Sequence, residues 1–115
     1  MEQLDRIELR GSVGSIRIQK ISGANVANFT VATNLAYRDK DGTPIIETTW
    51  HNVTAWESKE IRNLDKIEKG GKVHLVGRIR NQRFNGTDGV DRTMYEIVAK
   101  TVNLIDGQEV LQYQM

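Results

Sequence analysis

Two tryptophans stand six residues apart in the segment Thr48–Trp56, which reads TTWHNVTAW. Alternate side chains of a strand point to the same face, so Trp50 and Trp56 share one face with Asn52 and Thr54 between them. The opposite face carries smaller or aliphatic side chains that can pack inward. Large aromatics left on a surface usually mark a binding site, and rings flanked by cations suit single-stranded nucleic acid. The segment therefore predicts a base-stacking surface.

A second set of residues follows in Lys72–Phe84, which reads KVHLVGRIRNQRF. Arg78, Arg80 and Phe84 share one parity, opposite to the apolar residues of the same segment. From Lys72 to Arg92 there are five Lys and Arg against two Asp, five minus two giving a local charge of +3 on a chain of net charge +1. Arginine pairs with phosphate and also stacks on bases. Taken alone this face is equally well an ordinary solvated strand surface, but beside the tryptophans it favours nucleic-acid binding.

Length and composition set further bounds. A chain of 115 residues is long enough for one domain and too short for two ordinary ones. It contains no cysteine, which excludes disulfides, thiol catalysis and Cys-ligated zinc. The start, MEQLDRIELRG, has no apolar signal-peptide core, and no later run approaches the roughly 20 apolar residues of a membrane span. A cytoplasmic protein is expected.

The elements that must position these residues are mainly strands. Alternating segments separated by glycine-bearing turns predict five of them, and Gly11 and Gly14 predict a sharp bend or bulge in the first. The turn signals are DKDGT after the second strand and the NG and DG pairs after the fourth. The predicted strands are Leu4–Ile21, Val26–Tyr37, Ile45–Trp56, Lys72–Phe84 and Thr93–Ile105.

Between the third and fourth strands the period changes. Ile61, Leu64 and Ile67 fall on one helical face, Ser58 is a candidate N-cap, and a glycine pair follows Lys69. The order of three strands, a helix and two strands fits a small closed barrel. We therefore predict an all-β fold, an OB-fold five-stranded Greek-key barrel with one short α-helix between strands 3 and 4.

Several separated motifs resemble the bacterial single-stranded DNA-binding protein family: ANFTVATN, AYRDKDG, TTWHNVTAW, GGKVHLVGRIR and DRTMYEIVA. The resemblance covers nearly all of Leu4 to Ile105, in the family's order and spacing. It implies an OB-fold single-stranded DNA-binding domain over residues 1–106, without sequence preference. It also implies a homotetramer, or sometimes a dimer, that serves DNA replication, recombination and repair in the bacterial cytoplasm and nucleoid.

The family's longer members end in an acidic tip that recruits replication and repair enzymes. This chain ends EVLQYQM, so residues 107–115 are predicted to be a short C-terminal extension without the acidic tail. Replication and repair proteins are candidate partners, but recruitment through such a tail is not expected. No membrane partner is expected.

The resemblance also assigns roles to residues. Trp50 and Trp56 fall where the family places stacking aromatics, Phe84 where Trp is common, and Tyr37 where another Trp is often found. The smaller rings imply weaker stacking. Tyr37 has the parity of core-facing residues, so its role requires a twist or bulge before the strand ends. The predicted nucleic-acid-binding residues are Tyr37, Arg38, Trp50, Trp56, Lys72, Arg78, Arg80, Arg83 and Phe84.

Other functions are weighed against this one. The nearest alternative is a primosomal OB-fold protein that mainly bridges single-stranded DNA and a helicase or primase. A barrel that only oligomerises, with its tryptophans packed on another subunit, is a second alternative. An enzyme comes last, because no cluster offers metal ligands or a nucleophile with a base, and we expect no catalytic residue, metal or cofactor. His51 is predicted to be packed, hydrogen-bonded or at a subunit interface.

Assembly is predicted from the first strand. Ile7 and Leu9 are apolar, and we expect them and the open strand edges to need cover from a second copy. Pairing of first strands across a two-fold axis would supply it. A homo-oligomer, tetramer rather than dimer, is the prediction.

Overall fold

The computed structural model describes residues 3–105, and five strands account for most of them. The strands are β1 Ile7–Ile21, β2 Ala24–Arg38, β3 Pro44–Trp56, β4 Lys72–Asn85 and β5 Asp91–Ile105. They close into a barrel in the order β1-β2-β3-β5-β4, which confirms the predicted all-β five-stranded barrel. All neighbouring pairs are antiparallel except β3 and β5, which run parallel. The extension predicted over residues 107–115 lies outside the described residues.

The bend predicted in β1 is present and divides the strand between two partners. Residues 7–12 pair with β4, whereas residues 12–21 pair with β2. The register shifts between Val13 and Ile16, around Gly14. At Gly11 a side chain would overlap the carbonyl oxygen of Ala32, so only glycine allows β1 and β2 to approach so closely here.

The core is the inside of the barrel, filled by alternate side chains of all five strands. Val31, Val73 and Leu75 are fully buried. Leu9 is buried in the same core and Ile7 packs against it. The barrel itself therefore covers these two residues, which were expected to need a second copy of the chain.

The α-helix predicted between β3 and β4 does not form, and a 3-10 turn takes its place. One 3-10 turn, Leu64–Lys66, is the only helical turn among residues 57–71. The predicted apolar face is nevertheless buried, with Ile61 and Ile67 joining Leu64 in the core. A short isolated helix is marginal in water, so burial of these three side chains decides the local conformation.

The predicted cap forms without a helix to cap. Ser58 Oγ accepts hydrogen bonds from the N–H groups of Glu60 and Ile61, at 3.2 and 3.1 Å. Asn63 then adopts a left-handed conformation, with φ of 62°, which interrupts a helical path. Nowhere in residues 3–105 is there a helix of the length and apolarity that crossing a membrane requires.

Two strand pairs continue past the core as exposed hairpins. The β2–β3 arm comprises residues 34–49, where Leu35 is 60% and Ile46 72% exposed. The β4–β5 arm comprises residues 78–95, in which every residue of β4 and β5 is exposed. The arms carry most of the residues predicted to bind nucleic acid.

Candidate nucleic-acid interface

The two arms separate at one point, which we call the fork. β3 and β5 pair only through Val53 with Ile97 and Thr54 with Val98. Toward the start of each strand, β3 pairs only with β2 and β5 only with β4, so the strands diverge. Two clefts open there, of about 380 and about 150 Å³, and Asn52, Tyr95 and Glu96 line both. The candidate interface is built around this divergence.

Trp50 lies at the edge of the smaller cleft, with 59% of its surface exposed. Its ring reaches across β2 to the backbone of Gly14 in β1, where a side chain would overlap the indole and the Thr30 hydroxyl. Gly14 thus permits both the bend of β1 and the packing of the Trp50 indole against the β1 backbone. The sequence signalled only the bend, because the contact joins strands that are distant in the chain.

Trp56 ends β3 on the same face as Trp50 and is 42% exposed. Six residues of strand place the two tryptophans ~20 Å apart. The floor between them is polar: the buried Thr54 hydroxyl donates to Glu96 Oε2 at 2.8 Å and lies 3.1 Å from Asn28 Oδ1. The surface between the two rings therefore carries hydrogen-bonding groups.

Arg80 is held by a carboxylate. Its Nε donates to Glu96 Oε1 at 2.8 Å, and its Nη2 bonds the same oxygen. The Glu96 side chain is only 12% exposed, so its charge needs this partner. Within residues 3–105, Arg78 has no such ion pair and is exposed. The two arginines therefore differ, and Glu96 is a residue that sequence reasoning missed.

At the tip of the β4–β5 arm, an aromatic residue and an arginine lie opposite each other on the two strands. Phe84 is 40% exposed and pairs across the strands with Arg92. Arg92 Nη2 lies 2.6 Å from Asp88 Oδ2, and the Val90 N–H followed by the Arg92 guanidinium lowers the pKa of the Asp88 carboxyl. Arg83 has the opposite parity and points from the other face of the arm. Phe84 therefore lies opposite an arginine whose charge is paired with Asp88.

Tyr37 lies on the β2–β3 arm, 43% exposed and paired with Ile45. The β2–β3 register runs without a bulge from Val26 to Arg38, so Tyr37 faces away from the side that carries Trp50. Arg38 donates from Nη1 to the carbonyl of Gly42 at 2.9 Å, within the turn. Tyr37 therefore belongs to the far side of the arm, whereas Arg38 has the parity of Trp50.

Lys72 lies at the opposite end of β4 from the predicted site residues of the arm. It begins β4, is half-buried, and pairs with Ser12 of β1 and Ile105 of β5. Arg78, Arg80 and Phe84 are on the same strand, but at the end that forms the arm. The structure thus groups Trp50 with the arm residues and leaves Lys72 outside that group.

The histidine between the tryptophans is part of the barrel wall. His51 is half-buried and its Nε2 lies 3.0 Å from Thr33 Oγ1. In the part of the chain that the structure describes, no three His, Asp or Glu side chains gather where a metal could bind. A hydrogen-bonded role, one of those predicted, accounts for this residue.

This barrel, its fork and its exposed rings can be compared with known proteins. The sequence model of the single-strand binding protein family matches residues 4–105. The chain belongs to the single-strand binding protein family. The resemblance seen in the separated motifs is thereby confirmed.

Relatives in this family extend beyond the matched domain. A single-stranded DNA-binding protein of Neisseria meningitidis serogroup A is 37% identical over 87 residues, covering 76% of this chain and 50% of the relative. One from Xylella fastidiosa is 28% identical over 107 residues, covering 91% and 65%. The chain thus spans about half the length of the Neisseria relative.

Solved structures share the fold. A Plasmodium falciparum SSB complex with ssDNA superposes with a TM-score of 0.77 at 24% identity, covering 92% of this chain and 98% of that one. The single-stranded DNA-binding protein of Thermus aquaticus, a deletion mutant, gives 0.73 at 18% identity, covering 91% and 52%. At these identities the likeness concerns the fold, and it confirms the OB-type barrel.

Proposed function

We propose that this chain binds single-stranded DNA without sequence preference, by stacking bases on its exposed rings and neutralising phosphates with its arginines. The observation that carries the proposal is the pair of exposed tryptophans on one face of β3, where a core strand would have buried aliphatics. Membership of the family supports it, as does the likeness to single-stranded DNA-binding proteins of other bacteria. The chain acts as a binding protein and not as an enzyme.

Stacking supplies the sequence-tolerant part of the affinity. Trp50, Trp56 and Phe84 each offer an accessible ring face, and Tyr37 adds one on the far side of the β2–β3 arm. Base stacking on an aromatic side chain contributes about 1 to 3 kcal/mol, and every base has a face to stack. Affinity then comes from several modest contacts in sequence.

Phosphates meet the cations of the β4–β5 arm. Arg78 and Arg83 are exposed there and make direct phosphate contacts, while Arg38 and Lys72 extend the path away from the fork. Arg80 shares its charge with Glu96, so its contribution is smaller. Each neutralised phosphate on a single strand gives a slope of about −0.7 in log affinity against log salt.

The proposed cellular role is protection of exposed single strands in replication, recombination and repair. A surface that tolerates any base suits strands whose sequence varies from site to site. Contacts made mainly to base faces and phosphates leave the strand unreacted and release it when the complementary strand pairs.

We also propose that the chain works as a homo-oligomer, a tetramer rather than a dimer. Residues 7–11 of β1 have a ladder partner in β4 and none in β2 among the described residues, so one strand edge is available for pairing. One OB domain contacts only about 4 to 16 nucleotides. Joined domains raise the effective concentration of the second contact and so the affinity. Sedimentation at micromolar concentration tests this, and a monomer there would contradict it.

The binding proposal is tested with labelled oligo(dT) and fluorescence anisotropy. Trp50→Ala and Trp56→Ala should each weaken binding about tenfold, because each removes one stacking contact. Leu104 is an exposed apolar residue at the end of β5 that lies away from the β4–β5 arm. Leu104→Ala is therefore the matched control and should bind like the wild type. Circular dichroism establishes that each variant is folded. Folded tryptophan variants that bind normally would overturn the proposal.

A further inference from the structure

We infer that the Tyr95 ring forms one wall of a base-binding cleft at the fork, and that this cleft takes one nucleobase of a bound strand. The inference rests on the proposed function and adds a residue to it. Tyr95 is 66% exposed, although it lies in β5 only two residues before the buried Ile97. A large ring so exposed beside a cleft is typical of a binding surface.

The backbone explains why the cleft exists. β3 and β5 are hydrogen-bonded at Val53 and Ile97 and then diverge, so the residues just before this pair stand on opposite walls. Trp50 belongs to the β3 wall and Tyr95 to the β5 wall, and both line the same cleft of about 150 Å³. Its floor is apolar, formed by Ile79 and the buried Ile97.

The size and floor of the cleft indicate a flat, apolar-faced ligand. A cavity of about 150 Å³ with apolar walls is known to hold a benzene ring. The aromatic wall formed by Tyr95 favours a ring as the ligand, since stacked or edge-to-face rings attract each other. A single base ring, carried on a flexible strand, has these properties.

The polar groups at the rim indicate a base edge and disfavour a phosphate. The Asn52 amide lines the cleft and makes no side-chain hydrogen bond within residues 3–105, so both its donor and its acceptor are available. It can therefore meet a donor or an acceptor on a base. Glu96 also lines the cleft, and an ionised carboxylate only accepts hydrogen bonds, which a phosphate cannot donate.

The position of Tyr95 separates this cleft from the stacking at the arm tip. Tyr95 pairs with Asn81 and has the parity opposite to Glu96 and Phe84. It lines the larger cleft as well as the smaller one, so a strand that crosses the fork passes it in either case. Tyr95 therefore acts at the fork and not at the tip of the β4–β5 arm.

The first experiment is a double-mutant cycle in oligo(dT) binding. Tyr95→Ala should weaken binding about tenfold, whereas Tyr95→Phe, which keeps the ring, should stay within about twofold of the wild type. Leu104→Ala on the same strand is the control. Because the Trp50 indole lies over Gly14 and away from the Tyr95 ring, the losses should multiply in the Trp50→Ala, Tyr95→Ala double variant, as they do for separate contacts. Normal binding by folded Tyr95→Ala would overturn the inference.

The second experiment locates the base directly. An oligonucleotide carrying 5-iododeoxyuridine is photocrosslinked to the wild-type protein and the complex is digested with trypsin. The peptide Thr93–Lys100 contains Tyr95 as its single aromatic residue, so an adduct on this peptide identifies the contact. The adduct should disappear in Tyr95→Leu.

The outcomes separate this inference from the proposed function. If the strand binds and crosslinks only to the peptide that carries the tryptophans, the role of Tyr95 is wrong and single-strand binding stands. If the wild-type protein does not bind oligo(dT) at all, both are wrong. An adduct on Thr93–Lys100 together with the tenfold loss in Tyr95→Ala supports both.

Discussion

The inner and outer halves of β4 have the same alternating pattern but opposite surroundings. Val73 and Leu75 are fully buried in the barrel, whereas every residue from Arg78 to Asn85 is exposed on the arm. β2 changes in the same way after Thr33. Alternation thus predicts which side a residue takes, and it does not tell whether another element covers that side.

This division assigns different tasks to the two halves. The barrel body holds the buried apolar side chains that stabilise the fold. The arms and the fork hold the exposed rings and cations that we propose to bind nucleic acid, and most of their residues are exposed. A substitution in the body should therefore change stability first, and one in the arms should change binding first.

The largest expected effect is in the body. Leu75→Ala should lower the free energy of unfolding by about 2 to 5 kcal/mol, because it leaves a cavity around a fully buried side chain. Ile46→Ala, on the β2–β3 arm and 72% exposed, should stay within about 0.5 kcal/mol. Urea denaturation followed by circular dichroism measures both. Equal losses would mean that the arm is as well packed as the barrel.

A pair of glycines in β1 sharpens the comparison. Gly11→Ala should destabilise the fold by about 1 to 3 kcal/mol, because its side chain would meet the Ala32 backbone. At Gly14 the obstacle is the Trp50 side chain, which can move away. Gly14→Ala should thus cost less stability but weaken oligo(dT) binding by up to the ~1 to 3 kcal/mol of one stacking contact.

The control for Gly14 is the same substitution without the indole. In a Trp50→Ala background, Gly14→Ala should leave oligo(dT) affinity unchanged, since there is no ring left to displace. A further loss of affinity in that background would show that Gly14 acts through some other contact.

Two arginines of the β4–β5 arm should also differ, because one affects binding and the other affects stability. Arg78→Ala should flatten the salt dependence of binding by about 0.7 in slope, because one phosphate contact is lost. Arg80→Ala should instead destabilise the protein by about 1 to 3 kcal/mol, because Glu96 loses its partner. Salt titrations and thermal unfolding separate the two results, and identical behaviour would contradict the proposed difference.

The smallest expected effect is an acid-sensitive ion pair on the outside of the barrel. The His74 ring, 2.6 Å from the carboxylate, lowers the pKa of exposed Glu8 below its ordinary value of 4.5. The pair therefore stabilises the fold above that pH and ceases to do so as the pH falls through the lowered value. Glu8→Gln should slightly reduce stability at pH 6 and have no effect at pH 2. An equal loss of stability at pH 6 and pH 2 would show that the pair of Glu8 with His74 is not the cause.

The barrel and the exposed face that carries both tryptophans could be predicted because both depend on local signals. Alternation and turn residues indicated five strands, and the spacing of Trp50 and Trp56 put both rings on one face. The helix after β3 was predicted wrongly because the spacing of Ile61, Leu64 and Ile67 reports burial, which a single 3-10 turn also provides.

The remaining features could not be predicted because they join strands far apart in the chain. The pair of Arg80 with Glu96, the contact of the Trp50 indole with Gly14 and the cleft beside Tyr95 all depend on how the strands pair and diverge. Parity along one strand contains no information on which residue of another strand lies opposite. The strand register in the structure supplies that information.

Fluorescence of single-tryptophan variants tests the central claim, that the exposed rings of β3 bind the strand. The chain has two tryptophans, so Trp56→Phe leaves Trp50 as the reporter and Trp50→Phe leaves Trp56. Titration with oligo(dT) should quench both emissions, because bases stack on both indoles. Tight binding that leaves both emissions unchanged would contradict the account.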